Sequence, residues 1–274
     1  MIGDFCSING KLVPSADAKV HIDNLEYAYG FGVYESLKVR DRLLYFPEMH
    51  LERLLASAQI IGLDHHLDIE KIKDSLDELV KSVPQPSFNV KMMLVGREQE
   101  GDLYIFASMP HFVQRKAYRD GVKVITLDGE RQFHHAKTLN MLMSYLAYRT
   151  ARKKDAHDAL LIDREGFIRE GTRTNIFYTD GKTIFTPPTT QVLDGVTRRT
   201  VIESLEKSGI PVAERMLKAD EVKTYHGFFL TSTSVNVLPI SQIDDQVFAV
   251  PELVKTAIKI YSQYLSQYKK LRVK

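Results

Sequence analysis

Five stretches of the chain carry side chains that could do chemistry. In "HHAKTLNML" (134–142), Lys137 opens onto an apolar run. Its amine is either a nucleophile held in a pocket or a solvated charge beside a helix N-terminus. A cation at that end meets the unfavourable pole of the helix dipole, a penalty of a few tenths to about 1 kcal/mol, which hints at a special role and proves none. In "REGFIREGTRTNIF" (164–177), Glu170 precedes Gly171 in a bend before a strand, either as a surface turn or as an acid presented to a ligand. In "VLDGVTRRT" (192–200), Gly195 frees the backbone, and Val196 and Thr197 offer N–H groups at a helix start, the arrangement that binds phosphate; Thr is also a common N-cap. "LTSTSV" (230–235) clusters hydroxyls that suit local turn bonding or one wall of an anion site. Arg53 in "HLERLL" lies beside an apolar helical stripe, where its guanidinium fork either reaches a pocket or faces solvent.

These residues are positioned by elements that the periodicity predicts. "VYESLKVR" (33–40) alternates as a strand, and "RLLYF" (42–46) pairs with it after a turn at Asp41. Helices follow over 47–63, opened by Pro47 and closed by Gly62, and over 69–83. Strands are expected at 88–96 and 102–109. The polar stretch "PHFVQRKAYRD" (110–120) shows no clear period and reads as a linker. Beyond it come a strand at 122–127, a helix from about 138 to 153, and strands at 159–163, 175–179 and 183–187, the last two joined at Asp180-Gly181. A helix spans 197–209 with Thr197 as its N-cap, two strands flank the Thr/Ser bend within 227–240, and Pro251 opens a final helix. The whole reads as an α/β (α+β) protein in two lobes, 1–118 and 119–274.

Composition narrows the function. The 274 residues suffice for a substantial core, and 44% hydrophobic with 26% charged is an ordinary globular balance. A net charge of +2 gives no field for nucleic acid or an anionic membrane. Lys269, Lys270 and Lys274 complement the dipole of a terminal helix. Cys6 is the only cysteine, which excludes an internal disulfide and a thiolate zinc cluster, and no metal is expected; a reducing cytoplasm is the natural setting. "MIGDFCSING" lacks the features of a signal peptide, and no apolar run approaches the roughly 18 residues of a membrane span.

Taken in order, "YGFGVYES", "PEMHLERLLASA", "KTLNML", "EGTRTNIFYTDGKTIFTPP", "LDGVTRRTVIE" and "TSTSVNVLPI" resemble the class IV aminotransferases, the fold type IV pyridoxal-phosphate enzymes. The resemblance spans about residues 8 to 245. It implies a small N-terminal α/β domain, a larger cofactor-binding domain with a barrel-like core, and a homodimer. It implies that Lys137 forms the Schiff base with pyridoxal phosphate and that Glu170 holds the pyridine nitrogen. Arg53, Val196, Thr197 and Thr233 match the phosphate-binding set, and Leu193 matches the leucine packed on the cofactor ring. Tyr29 and Tyr34 match aromatic positions of the substrate pocket. The Ser232-Thr233-Ser234 bend falls where backbone N–H groups hold a substrate carboxylate, with Ser234 and Arg173 as further substrate candidates.

The implied reaction is ping-pong transamination between a hydrophobic, branched-chain L-amino acid and a 2-keto acid such as 2-oxoglutarate. A D-amino acid aminotransferase and an aminodeoxychorismate lyase, which eliminates pyruvate, are the alternatives. The Tyr-x-Arg of branched-chain enzymes is missing at Phe88-Asn89-Val90. "GREQEGDLY" (96–104) offers Arg97 without the histidine of the D-amino acid type, which Lys38 otherwise resembles. Arg173 either meets a carboxylate or faces solvent. His134 and His135 lie on a loop that resembles a pocket-closing one, with a catalytic or a structural duty.

Overall fold

In a computed structural model described for all residues except 98, 99, 111, 273 and 274, the chain forms two units. The first is Met1–His111 with Ala136–Met141; the second is Phe112–His135 with Leu142–Lys274. The segment of Lys137 thus belongs with the first unit, although it lies far beyond the expected cut at 118/119. Of the sequence expectations, Lys274, His111 of the linker and residues 98–99 of "GREQEGDLY" lie outside the described residues.

The first unit contains β1 (Phe5–Ile8), β2 (Lys11–Pro14), α1 (Leu25–Ala28), β3 (Gly32–Arg40), β4 (Leu43–Leu44), α2 (Pro47–Ile60), α3 (Ile69–Ser82), β5 (Phe88–Val95) and β6 (Asp102–Ser108). The strands form a six-stranded antiparallel sheet in the order β2-β1-β6-β5-β3-β4. Strand alternation sends Val33, Leu37 and Val39 of β3 and Val90, Met92 and Leu94 of β5 into one core with Leu51 and Leu54 of α2 and Leu76 and Leu79 of α3. The other face of the sheet carries Tyr34, Ser36 and Lys38, paired with Met93, Lys91 and Asn89. The expected strand at 42–46 is only β4. Asp41 (φ 51°) and Arg42 (φ 60°) make the two-residue turn, and Phe46 (φ 54°) diverts the chain into α2.

The second unit contains α4 (Arg115–Asp120), β7 (Val122–Asp128), α5 (Leu142–Lys153), β8 (Asp158–Ile162), β9 (Phe167–Gly171), β10 (Asn175–Thr179), β11 (Ile184–Thr186), α6 (Val196–Lys207), β12 (Val212–Glu214), β13 (Leu217–Lys218), β14 (Gly227–Ser232), β15 (Asn236–Ile243), β16 (Gln246–Val247) and α7 (Glu252–Arg272). Its ten-stranded mixed sheet runs β12-β11-β10-β14-β15-β7-β8-β9-β13, with β16 on β15. A tight turn in which Gly171 N–H donates to Thr174 O (2.8 Å) joins β9 to β10, yet these strands are five places apart in that order. The sheet must therefore curl back on itself, which gives the expected barrel-like core. No helix among the described residues is long and apolar enough to cross a membrane.

Four local expectations change. The linker holds a helix, α4, closed by Gly121 at φ 82°. Residues 138–141 are not helical, because Leu139 N–H donates to Gly32 O (2.8 Å) and draws the segment onto β3. Lys137 therefore faces no helix dipole. Glu170 lies within β9 rather than in a bend. Helix α6 begins at Val196, so Gly195 is its N-cap and Thr197 stands inside its first turn.

Candidate active site

In the first unit the candidate lysine is held at both of its backbone groups. Its N–H donates to Ser57 Oγ (3.1 Å), and its carbonyl accepts from Tyr34 N–H (2.9 Å). The half-buried side chain lays its Nζ 4.5 Å from the centre of the Tyr34 ring, a cation–π contact. Lys91 Nζ lies 5.3 Å from the same ring, and Tyr34 Oη meets Met141 Sδ at 3.6 Å. Tyr34 thus lies beside Lys137. Tyr29 is not packed there: it ends α1 with 80% of its surface exposed.

Arg53 is neither a surface arginine nor a loose fork. It is buried on α2, and its Nε and Nη2 donate to Glu35 Oε1 (2.6 Å) and Oε2 (2.8 Å). His50 Nδ1 completes the cluster at 2.7 Å from Glu35 Oε2. Burial pushes the Glu35 carboxyl up, but the Arg53 charge and then His50 outweigh it and hold it well below the ordinary range. Burial pushes His50 down despite the Glu35 charge, and toward a carboxylate oxygen its Nδ1 can only donate. A guanidinium gripped in two places is oriented before any ligand arrives. Glu35 is a residue sequence reasoning missed. Its signal was present, for it interrupts the inward alternation of Val33, Leu37 and Val39.

In the second unit Glu170 is 5% exposed. Its Oε1 accepts from Arg131 Nε (2.8 Å) and its Oε2 from Leu193 N–H (3.3 Å). Arg131 Nη2 also donates to His134 O (2.7 Å), so the histidine loop is tied in through its backbone. The His134 ring lies 4.0 Å from that of His135, and its pKa is lowered, first by burial. No local pattern marked Arg131. The motif "EGTRTN" is folded by Asp158, whose Oδ1 accepts from Thr172 Oγ1 (2.5 Å) and Oδ2 from Thr174 Oγ1 (2.9 Å). A Cβ at Gly171 would stand 2.1 Å from Thr174 Oγ1, so the turn after Glu170 requires glycine. Arg173 points outward, stacked 4.0 Å over the Tyr148 ring.

The same unit carries the anion-binding candidates. Val196 and Thr197 are buried in the first turn of α6, and Gly195 supplies no side-chain cap. The first-turn N–H groups are thus oriented without an internal side-chain acceptor at the cap. Leu193 is buried, and its carbonyl accepts from Asn175 Nδ2 (2.8 Å). A Cβ at Gly195 would come within 2.2 Å of Asn175 Oδ1. Thr233 and Ser234 form the half-buried turn between β14 and β15. Just before it, Thr231 Oγ1 is buried with no hydrogen-bond partner among the described residues.

The family described as amino-transferase class IV matches residues 32–243. A D-alanine aminotransferase from Bacillus licheniformis is 30% identical over 249 residues, covering 87% of this chain and 88% of its own. A protein of Methanocaldococcus jannaschii, assigned by inference as a branched-chain-amino-acid aminotransferase, is 30% identical over 259 residues, covering 88% of each chain. The crystal structure of a branched-chain aminotransferase from Thermoproteus uzoniensis, with norvaline, superposes with a TM-score of 0.89 at 25% identity, covering 98% of this chain and 97% of that one. The residues present fit pyridoxal phosphate on their own chemistry. An amine, a carboxylate fixed by two donors, a pre-oriented guanidinium, an uncapped helix N-terminus and an orphaned buried hydroxyl are the donor and acceptor types such a molecule requires.

Proposed function

The chain belongs to the class IV aminotransferases, pyridoxal-phosphate enzymes, and from that premise we propose that it moves an amino group from a hydrophobic, branched-chain L-amino acid to a 2-keto acid such as 2-oxoglutarate, in two ping-pong half-reactions. The observation that carries the reading is Lys137, pinned at its own N–H and C=O with its amine over Tyr34. The cofactor supplies an electrophilic carbonyl and an electron-accepting ring. Lys137 supplies the amine for that carbonyl and, when freed, moves the proton at the substrate α-carbon. Arg53, the N–H groups of Val196 and Thr197, and Thr233 are assigned to the phosphate. Glu170, oriented by Arg131, is assigned to keep a proton on the ring nitrogen, and Leu193 to pack on the ring. Tyr34 and Ser234 are assigned to the substrate; the outward stacking of Arg173 gives that residue no support as a substrate contact.

The sheet face around Lys137 supports both substrates. Tyr34, Met93 and Met141 offer an aromatic and thioether surface to an aliphatic side chain. Lys91 on the same face offers a cation to the second carboxylate of 2-oxoglutarate. The D-alanine aminotransferase relative favours a second reading, with a D-amino acid as donor. We also assign the protein to the cytoplasm as a homodimer. The apolar stripe of Leu142, Tyr145 and Leu146, 66%, 55% and 51% exposed on α5, supports the dimer; a monomeric sedimentation profile with full activity would refute it.

The test is a half-reaction screen. The loaded enzyme is mixed in turn with L-leucine, D-alanine and (R)-1-phenylethylamine, and conversion to the pyridoxamine form is followed by absorbance. L-leucine is expected to convert it and Lys137→Ala to abolish the conversion. Conversion by D-alanine alone establishes the second reading, and retention of the wild-type visible band in Lys137→Ala overturns the lysine assignment.

A further inference from the structure

Helix α2 presents three buried polar residues on one stripe, at spacing i, i+3 and i+7: His50 (1% exposed), Arg53 (8%) and Ser57 (1%). His50 and Arg53 serve the Glu35 cluster. Ser57 has a different partner, because its Oγ accepts the backbone N–H of Lys137. Arg53 and Ser57 are four residues apart, about 6 Å along the axis on the same side of the helix. The contacts close a circuit. Lys137 N–H binds Ser57, α2 leads from Ser57 to Arg53, Arg53 grips Glu35, Glu35 follows Tyr34 in β3, and Tyr34 N–H binds Lys137 O.

We propose that Ser57 is a positioning residue for Lys137: through it α2 fixes the amine at a set distance from the phosphate-binding arginine, so that one helix gauges both ends of the cofactor. This rests on the assignment of Lys137 and Arg53 made above. Both backbone groups of Lys137 are tied on this side, N–H by Ser57 and C=O by Tyr34. Loss of the Ser57 hydroxyl frees the N–H end and lets the peptide rock about its remaining bond. The phosphate arm is untouched, since Arg53 is oriented by Glu35 and not by Ser57. The capture step joins the Lys137 nitrogen to the aldehyde carbon and releases the aldehyde oxygen as water. It requires the amine in place, whereas phosphate binding does not.

Two ligands separate these contributions. Pyridoxal phosphate carries the aldehyde; pyridoxamine phosphate carries the same phosphate and ring but cannot be captured by a lysine. Apo Ser57→Ala is expected to bind pyridoxal phosphate about tenfold more weakly, the equivalent of one net hydrogen bond, and pyridoxamine phosphate within about twofold of wild type. Ser57→Thr, which keeps the hydroxyl, is expected to restore the wild-type ratio. Should Ser57→Ala fail to fold, Ser57→Cys, close in size with a weak sulfur acceptor, carries the same comparison. Equal weakening for both ligands would reduce Ser57 to a structural residue and overturn the proposal, as would no change for either. Wild type and Lys137→Ala with the same ratio of the two affinities is a separate outcome, which removes the lysine assignment itself.

Discussion

The two units organise their charged groups differently. In the first, the arginine is held by a carboxylate: Glu35 binds Arg53 at two points and His50 at one, and all three are buried. In the second, backbone takes a larger share. Leu193 N–H joins the Arg131 guanidinium on Glu170, α6 starts without a side-chain cap, and glycines keep the turns tight. A buried ion pair depends on the ionisation of its carboxylate and fails abruptly when one partner is removed. A backbone cradle is indifferent to pH in that sense but has no room for an extra methyl group.

The sharpest way to break this comparison is Glu35→Ala. It leaves the Arg53 charge buried without its two-point carboxylate, and the first unit is expected to lose about 3–5 kcal/mol, read as a lower urea midpoint. The cluster also predicts acid sensitivity. Both Glu35 and His50 have folded pKa values below their unfolded ones. The unfolded chain therefore takes up protons first. Stability is lost below about pH 6.5 through His50 and further below about pH 4.3 through Glu35. Glu35→Gln is expected to flatten the lower part of that slope in pH-dependent urea unfolding.

Arg131→Gln comes next. It removes a charge-assisted bond to Glu170 of about 1.5–3 kcal/mol, so the melting temperature is expected to fall with it, and the turnover number to fall at least about tenfold. Gly195→Ala tests the cradle itself. The new methyl would meet Asn175 Oδ1 at 2.2 Å, at a cost of about 1–3 kcal/mol, expected to appear as weaker pyridoxal-phosphate affinity. The last effect is a gain. Burial, then the Arg40 charge, pushes the Lys38 amine down to about 7. Its charged form is thus penalised in the folded state fully below pH 7 and not at all above about pH 10. Lys38→Met is expected to raise the melting temperature at pH 7, with the gain fading toward pH 10.

Regular periodicity made much of this legible in the sequence. The helical stripes of α2 and α3 and the alternation in β3 and β5 declare their buried faces locally. What stayed hidden depends on partners distant along the chain. Lys137 reads as the residue before a helix until Gly32 and Tyr34, about a hundred residues earlier, draw its segment into extended pairing. Ser57 reads as one small polar residue on a helix, and Arg131 as one arginine in a loop, because neither has its partner within local reach. Thr197 resembles a cap, yet Gly195, with no side chain to compete, starts the helix two residues sooner.

The six-residue return of Ala136–Met141 to the first unit has a consequence for biosynthesis. The ribosome completes the strands and helices of that unit by residue 108, but the segment that pairs with β3 has not yet been made. Until about thirty further residues emerge, Tyr34 N–H, Gly32 O and Ser57 Oγ wait for their partners. A fragment ending at residue 111 therefore lacks Lys137 and the three hydrogen bonds that seat its segment, so no single cut of the gene yields a first unit with that lysine and a second unit that begins after it.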